Sequence, residues 1–206
     1  MSKRVKRTKS SVRHIGLDVS ITSTGYCILD GDFNILKVGL VKSATNADIP
    51  DTVRFNIIWN KLDESVSFDC ITDTVMIEAY AMQSRRGNIL VRLAELTGMI
   101  KSRIIMDKLF PWSQVLKCSP STLKKYVLGS GKAEKSLILK TLWKKWEIDI
   151  DQDDIGDAYA LARMGGEIVR YAKDRKYVCQ LKYEHDCIQS IMEQNNIEEL
   201  KRRHNG

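Results

Sequence analysis

The sequence of 206 residues contains no apolar run near the roughly 18 residues that a membrane-spanning helix needs. Its start, MSKRVKRTKSSVRH, has no apolar core, so we do not expect a secretory signal. The five cysteines are scattered without a Cys-x-x-Cys pair, which favours a reducing, cytoplasmic setting. Zinc binding by Cys179, His185 and Cys187 is disfavoured, because their spacing fits no structural zinc pattern and no fourth ligand is evident.

Acidic residues are absent from the first 13 positions, which carry six basic ones: Lys3, Arg4, Lys6, Arg7, Lys9 and Arg13. A second basic segment, residues 117–147, has eight lysines against two glutamates. Both segments are compatible with simple solvated faces. Beside a carboxylate cluster, however, such an excess suits an enzyme acting on phosphodiesters, because acids hold metal ions and bases hold the phosphate backbone.

The length favours one well-buried domain with a tail. We expect a basic flexible arm over residues 1–11, a core over 12–174 and a helical extension over 175–206. The predicted strands are residues 14–18, 25–29, 35–41, 74–78 and 113–118. The predicted helices are residues 52–67 with Asp51 as N-cap, 89–105, a short one opened by Ser119-Pro120, 132–146 and 153–173.

This order, βββαβαβα followed by further helix, describes an α/β fold with a five-stranded mixed sheet flanked by helices. It is the order of the ribonuclease H-like fold. The sequence has no internal repeat and no low-complexity tract that would indicate another architecture.

Asp18 ends the first predicted strand, within the segment IGLDVSITSTGY. A lone Asp at a strand end is more often a turn residue than a ligand. Three further carboxylates occupy similarly constrained positions, because Glu78 ends the apolar run TDTVMIE, and Asp154 and Asp157 open the last long helix. Two strand ends and one helix start can therefore bring four acids together.

The helical pair of acids has alternatives, because residues three or four apart share a helix face. Asp151 with Asp154, and Asp153 with Asp157, have suitable spacing as well. We prefer Asp154 with Asp157, because the segment AYALA follows directly and fixes the start of the buried helix. For Asp149, Asp151 and Asp153 we expect helix capping and favourable interaction with the helix dipole.

Four clustered carboxylates would repel one another severely unless cations neutralised them. A set of Asp and Glu without His or Cys favours Mg²⁺, with Mn²⁺ as a substitute. Two such ions about 3.5–4 Å apart can activate a water and stabilise the leaving oxygen of a phosphoryl displacement. Asp18 is the acid expected to bridge both ions.

Four segments occur in an order that resembles the motif regions of the RuvC-type Holliday junction resolvases: IGLDVSITSTGY, VMIEAYAM, LKKYVLGSGKAEKS and DDIGDAYALA. The resemblance covers residues 15–170. It implies that Asp18, Glu78, Asp154 and Asp157 bind divalent metal, and that a homodimer hydrolyses four-way DNA junctions to 5′-phosphate and 3′-hydroxyl ends. The extra arm and tail are more like those of phage, viral or organellar relatives. If the protein is phage-encoded, we expect it in the host cytoplasm or nucleoid.

The resemblance also matches two lysines of the family to Lys135 and Lys124. Beside a metal-bound phosphate, either can stabilise developing charge, and we rank Lys135 above Lys124 as the catalytic lysine. We expect Lys124 and Lys132 to contact DNA.

In the loop after Glu78, Tyr80 lies one position nearer the glutamate than the aromatic residue of the family. Two roles are open to it, because it can stack on a base at the junction centre or pack beside the sheet. We expect Arg85 and Arg86 in the same loop to contact phosphates.

The apolar stripe of residues 89–105 predicts a helix that forms the dimer interface. Other functions remain open, because a broader branched-DNA nuclease or a ribonuclease H acting on RNA/DNA hybrids would use the same acids. A non-catalytic junction-binding protein is disfavoured by the intact acids. A phosphate-loop ATPase of the actin and sugar-kinase type is disfavoured because that fold needs two domains and a longer chain.

Overall fold

A computed structural model describes residues 12–43, 49–79, 87–174, 176–195 and 197 of the chain. Three residues predicted to contact DNA, Tyr80, Arg85 and Arg86, lie outside the described residues, as does the basic arm over 1–11.

Within the described part, five strands form one mixed sheet in the order β3-β2-β1-β4-β5. The strands are β1 (Arg13–Asp18), β2 (Ser23–Asp30), β3 (Ile35–Lys42), β4 (Asp73–Glu78) and β5 (Val115–Cys118). The first three are antiparallel neighbours, whereas β4 runs parallel to β1 and β5 runs parallel to β4. The predicted α/β fold with a five-stranded mixed sheet is confirmed. The carboxyl ends of β1, β4 and β5 therefore share one edge of the sheet.

Helices cover both faces of this sheet. They are α1 (Asp51–Val66), α2 (Gly87–Asp107), α3 (Pro120–Leu128), α4 (Ile138–Trp146), α5 (Asp153–Lys173) and α6 (Lys182–Gln194). Strand alternation sends Ile15 and Leu17 into one core cluster with α1 and α2. Met76 and Leu116 of β4 and β5 join the opposite cluster, with α3, α5 and α6. None of the described helices is long and apolar enough to cross a membrane.

Two elements start later in the structure than the sequence predicts. The segment predicted as a helix from residue 132 instead forms turns, in which the Leu137 N–H donates to the Glu134 carbonyl, and α4 begins only at Ile138. Residues Trp112–Gln114 form a 3-10 turn after Pro111, so β5 starts two residues later than predicted. In both places hydrogen bonds between residues three apart satisfy the backbone and compete with regular structure.

The prediction that Asp51 caps α1 is wrong. Pro50 occupies the N-cap position, and Asp51 lies in the first helical turn. Its carboxylate accepts two hydrogen bonds from Arg92 of α2, at 2.5 and 2.6 Å. A bidentate guanidinium is a stronger partner for a carboxylate than a backbone N–H, so tertiary pairing replaces the local cap.

The apolar stripe of α2 mainly serves the fold of its own chain. Leu96, Ile100 and Ile104 are fully buried against the sheet with α1, whereas Ile89 and Val91 at the start of the helix are exposed. That α2 forms the dimer interface stays a prediction, but most of the stripe on which it rested is buried within the chain and is not available to a second copy.

The predicted helix of the extension exists as α6. Cys187, Ile188, Ile191 and Met192 are buried in the same core cluster as α5. Buried Glu184 also forms an ion pair with Lys145 of α4. The extension is therefore packed into the fold as far as Ile197, the last residue described.

Candidate active site

Asp18 and Glu78 lie side by side because they end neighbouring parallel strands. The pairing of β1 with β4 aligns Leu17 with Ile77, the residues immediately before the two acids. Asp18 is only 7% exposed. Strand alternation turns it away from the face that buries Leu17 and toward α5.

The start of α5 supplies the other two predicted acids. Asp154 lies in the first turn and Asp157 one turn later, with Asp157 only 2% exposed. The negative charges of Asp157 and Asp154 both act on Asp18, and that of Asp157 also acts on Glu78. The structure thus brings all four predicted acids to one edge of the sheet. Asp153 lies in the first turn of α5, as expected for an acid that complements the helix dipole.

The acids of this cluster hold protons more tightly than ordinary carboxyl groups. Burial, reinforced by the charge of Asp157, raises the pKa of Asp18 to about 7. Burial and the charge of Asp18 raise the pKa of Glu78 to about 8. Burial also raises the pKa of Asp157, although Lys135 counteracts it. Since each carboxylate destabilises its neighbours, the cluster is under-neutralised as it stands.

Lys135 is the basic partner of the cluster. Its Nζ lies 2.5 Å from Oδ2 of Asp157, and its side chain is about half-exposed. Burial lowers its pKa, but the hydrogen bond and charge of Asp157 outweigh that effect, so the pKa is raised overall. The single ammonium of Lys135 interacts with three carboxyl groups, those of Asp157, Asp18 and Glu78, so it cannot neutralise all of them when they are ionised.

The donor set suits a hard divalent cation. All four acids offer oxygen ligands, and Oδ1 of Asp157 is buried without a hydrogen-bond partner among the described residues. The described residues contain no group of three or more acids, histidines or cysteines already placed to hold a metal. The ion pair of Asp157 with Lys135 occupies one oxygen that a metal would use. The residues therefore fit a metal in chemistry and charge. The ammonium of Lys135 occupies part of the space beside Asp157 that a metal ion would take.

The other predicted lysines are not paired with the acids. Lys124 is on α3 and half-buried, whereas Lys132 is exposed in the turn before α4. Of the lysines with described contacts, Lys135 is the one paired with an acid of the cluster. Neither Lys124 nor Lys132 forms an ion pair with these acids among the described residues.

Two glycines, which the sequence interpretation did not single out, determine how closely α5 approaches the sheet. A Cβ at Gly16 would lie 1.9 Å from the carbonyl oxygen of Ala158, and one at Gly25 would lie 2.2 Å from that of Asp154. Gly25 is also the cross-strand partner of Asp18. Glycine inside a strand pattern is a signal of close backbone approach, and it was present in the sequence.

Comparisons with known proteins identify the family. The family described as Crossover junction endodeoxyribonuclease RuvC matches residues 14–164. The RuvC of Alkaliphilus oremlandii is 27% identical over 154 residues, which cover 72% of this chain and 88% of that protein. The RuvC of Finegoldia magna is 26% identical over 173 residues, which cover 80% of this chain and 100% of that protein.

A solved structure has the same fold. The structure of Thermus thermophilus RuvC in complex with a Holliday junction substrate covers 79% of this chain and 95% of its own, with a TM-score of 0.61 and 19% identity. The predicted family is confirmed, whereas a phage, viral or organellar origin stays a prediction. Since the family match spans well over half of the sequence, the chain belongs to the RuvC family of crossover junction endodeoxyribonucleases.

Proposed function

We propose that this protein is a homodimeric, metal-dependent endonuclease that resolves four-way DNA junctions by hydrolysis. The observation that carries the proposal is the convergence of Asp18 and Glu78 with Asp157 around the ammonium of Lys135. Family membership supports the junction as substrate, since the matched relatives carry the name crossover junction endodeoxyribonuclease.

The four acids, Asp18, Glu78, Asp154 and Asp157, are the residues that would hold Mg²⁺, with Mn²⁺ as a substitute and two ions per site. Bound there, the metal supplies an activated water and neutralises charge on the phosphate. The partnerless Oδ1 of Asp157 supports its assignment as a ligand. The raised pKa values of Asp18 and Glu78 support it too, because both acids would ionise more readily beside additional positive charge.

Lys135 is the group of this chain best placed to hold the scissile phosphate. Its ammonium already lies at the acid cluster, and its side chain is exposed enough to be reached by substrate. An ammonium that donates to a phosphoryl oxygen stabilises the charge that develops there during displacement. In this role Lys135 binds the reacting group, whereas Lys124 and Lys132 are assigned to contacts with the DNA backbone.

The dimer is assigned to the outer side of α2. Gly98 is exposed there, and a Cβ at that position would meet nothing within 4 Å, so another surface can approach the helix closely. Exposed Val91, seven residues before Gly98 on the same side of the helix, adds apolar surface. A two-fold axis along this face would set one active site against each of two strands of a junction.

The testing experiment is a metal-dependent cleavage assay on a mobile four-way junction with mapped cut sites, run beside a fork and an RNA/DNA hybrid. Paired, symmetric nicks in the junction with little cutting of the other substrates are the expected result. Equal cutting of fork and junction would indicate a broader branched-DNA nuclease. Cutting of the hybrid alone would indicate a ribonuclease H, and binding without any metal-dependent cutting would leave a junction-binding protein.

A further inference from the structure

A cavity of about 390 Å³ opens beside the acid cluster, at the carboxyl ends of β4 and β5. Its wall includes Ala79, the residue immediately after Glu78. It also includes Ser119, which follows Cys118, the cross-strand partner of Glu78. The cavity thus adjoins the proposed nuclease site but contains none of its acids.

Two lysines line this cavity from different elements, Lys101 from α2 and Lys117 from β5. Burial lowers the pKa of Lys101, and the nearby positive charge of Lys117 lowers it further. Neither lysine forms an ion pair with a carboxylate among the described residues. Two like charges that face one shared cavity repel, and an anion between them would turn that repulsion into attraction.

The extension of the chain fixes Lys117 in this position. The Lys117 N–H donates to Oδ1 of Asn195 at 3.1 Å, and Nδ2 of Asn195 donates to the Lys117 carbonyl at 3.2 Å. Because β5 is the edge strand of the sheet, this side-chain amide acts as the missing neighbouring strand at one residue. The N–H and the carbonyl of Lys117 are therefore both hydrogen-bonded to Asn195. This fixes the backbone from which the Lys117 side chain extends and limits how far that side chain can move from Lys101.

An aromatic side chain completes the cavity. Trp112, in the 3-10 turn before β5, lines it and is 51% exposed. An exposed indole beside paired ammonium groups suits a nucleotide, since the phosphate pairs with the lysines and the base stacks on the ring.

We propose that this cavity binds a single backbone phosphate of a DNA strand between Lys101 and Lys117, with an adjacent base against Trp112. The proposal rests on the proposed function for the identity of the polyanion. The adjacency of Ala79 to Glu78 means that the bound strand is the one cut, or the one next to it at the crossover. Lys101 and Lys117 bind substrate in this role and take no part in the chemistry.

The first test measures junction affinity against salt concentration in EDTA, so that no cleavage is needed for the readout. Lys101→Gln and Lys117→Gln should each weaken binding about tenfold, as expected for loss of a hydrogen bond to a charged group. Lys37→Gln is the matched control, because Lys37 is an exposed lysine on β3, the opposite edge strand, and it should change little.

The salt dependence distinguishes one shared phosphate from two. Each phosphate neutralised contributes about 0.9 to the slope of log affinity against log salt on duplex DNA and about 0.7 on a single strand. The double variant should therefore lose no more than one such increment. A loss of two increments would show that the lysines hold separate phosphates, and a change equal to that of Lys37→Gln would overturn the site.

The second test uses thermal stability with inorganic phosphate as the probe. In chloride, the Lys101→Gln/Lys117→Gln variant should melt at or above the wild-type temperature, because a like-charge repulsion is removed. Phosphate at matched ionic strength should raise the melting temperature of the wild type and of Lys37→Gln more than that of the double variant. Equal stabilisation of all three proteins would contradict the proposal.

Trp112 is tested by a conservative pair of variants. Trp112→Phe keeps an aromatic face and should retain most of the affinity, whereas Trp112→Leu should lose at least about fivefold. Equal losses would argue against stacking. These binding results stand apart from the proposed function, since a protein that cuts no substrate could still show them, and an active resolvase could lack them.

Discussion

Lys135 and Asp157 form an ion pair in which one carboxylate oxygen is bound and the other is left without a partner. The lysine lies 2.5 Å from Oδ2, while Oδ1 is buried without a hydrogen bond among the described residues. A buried carboxylate with one satisfied oxygen retains capacity for a second cation. The pair therefore links the two proposed roles in the site, because Lys135 is the group that would hold phosphate and Asp157 is a group that would hold metal.

Replacing Lys135 with Ala should reduce cleavage much more than junction binding. The loss in the single-turnover rate should be about 100-fold, the size expected when one preorganised donor to a developing charge is removed. Rates on a junction substrate and affinities in EDTA provide the measurement. Lys132→Ala is the comparison variant, because exposed Lys132 lies three residues earlier and forms no ion pair with the acids among the described residues. As a proposed DNA contact it should lose affinity rather than single-turnover rate. Equal losses of rate and affinity would indicate simple phosphate anchoring.

Asp18→Asn should abolish nicking and leave junction binding intact, because the amide keeps the shape of the side chain but cannot ionise to bind a divalent cation. A cleavage assay beside an electrophoretic binding assay tests this expectation. Retained nicking would exclude Asp18 as a required metal ligand.

The same variant should show a characteristic stability profile in EDTA. Since burial raises the folded-state pKa of Asp18 from 3.8 to about 7, the stabilisation from its neutral form is complete below pH 3.8 and is lost as pH rises through 7. Asn stays neutral throughout. Thermal melts should therefore show Asp18→Asn above the wild type at pH 8, with the difference vanishing near pH 4. A difference independent of pH would contradict the raised pKa.

Metal affinity should increase with pH across the neutral range. Burial and mutual repulsion raise the pKa of Asp18 to about 7 and that of Glu78 to about 8. Because metal binds the ionised acids, binding at lower pH must release protons, and affinity should rise up to about tenfold per pH unit for each proton released. Calorimetric titration in buffers of different ionisation enthalpy would count these protons. Binding without proton release would show that the acids are already ionised.

The sequence predicted the sheet and the positions of the acids in it well, because both depend on local patterns. Alternation in residues 14–18 and 74–78 placed Asp18 and Glu78 at the ends of strands, and the parallel pairing of β1 with β4 brought these ends together. The start of α4 and the role of Asp51 were predicted wrongly, because turn hydrogen bonds and the contact with Arg92 decide them. Lys101 and Lys117 come to line one cavity through tertiary packing of α2 and β5. The number of lysines in the sequence does not predict that contact.

Glu184→Ala should destabilise the whole domain. Buried Glu184 of α6 pairs with Lys145 of α4, and its removal leaves that ammonium buried without its acid. Loss of one partner of a buried pair costs about 3–5 kcal/mol. Urea denaturation gives the free energy of unfolding, and Glu193→Ala on the exposed side of α6 should change it by less than about 0.5 kcal/mol. Equal effects of both substitutions would mean that α6 does not support the core.

Gly25→Ala should impair the active site through backbone contact rather than chemistry. A Cβ at position 25 would lie 2.2 Å from the carbonyl oxygen of Asp154, and it can fit only if α5 moves away from β2. Such overpacking typically costs about 1–3 kcal/mol of stability. The displacement separates Asp154 and Asp157 from Asp18, so cleavage and metal-induced stabilisation should fall even where the variant remains folded.

The control for this substitution is Gly31→Ala, since a Cβ at Gly31 meets nothing within 4 Å. It should retain wild-type cleavage and metal response. Thermal melts with and without Mg²⁺, together with cleavage rates measured well below the melting temperature, separate loss of fold from loss of geometry. A folded Gly25→Ala protein with full activity would show that the acids do not depend on the close approach of α5 to β2.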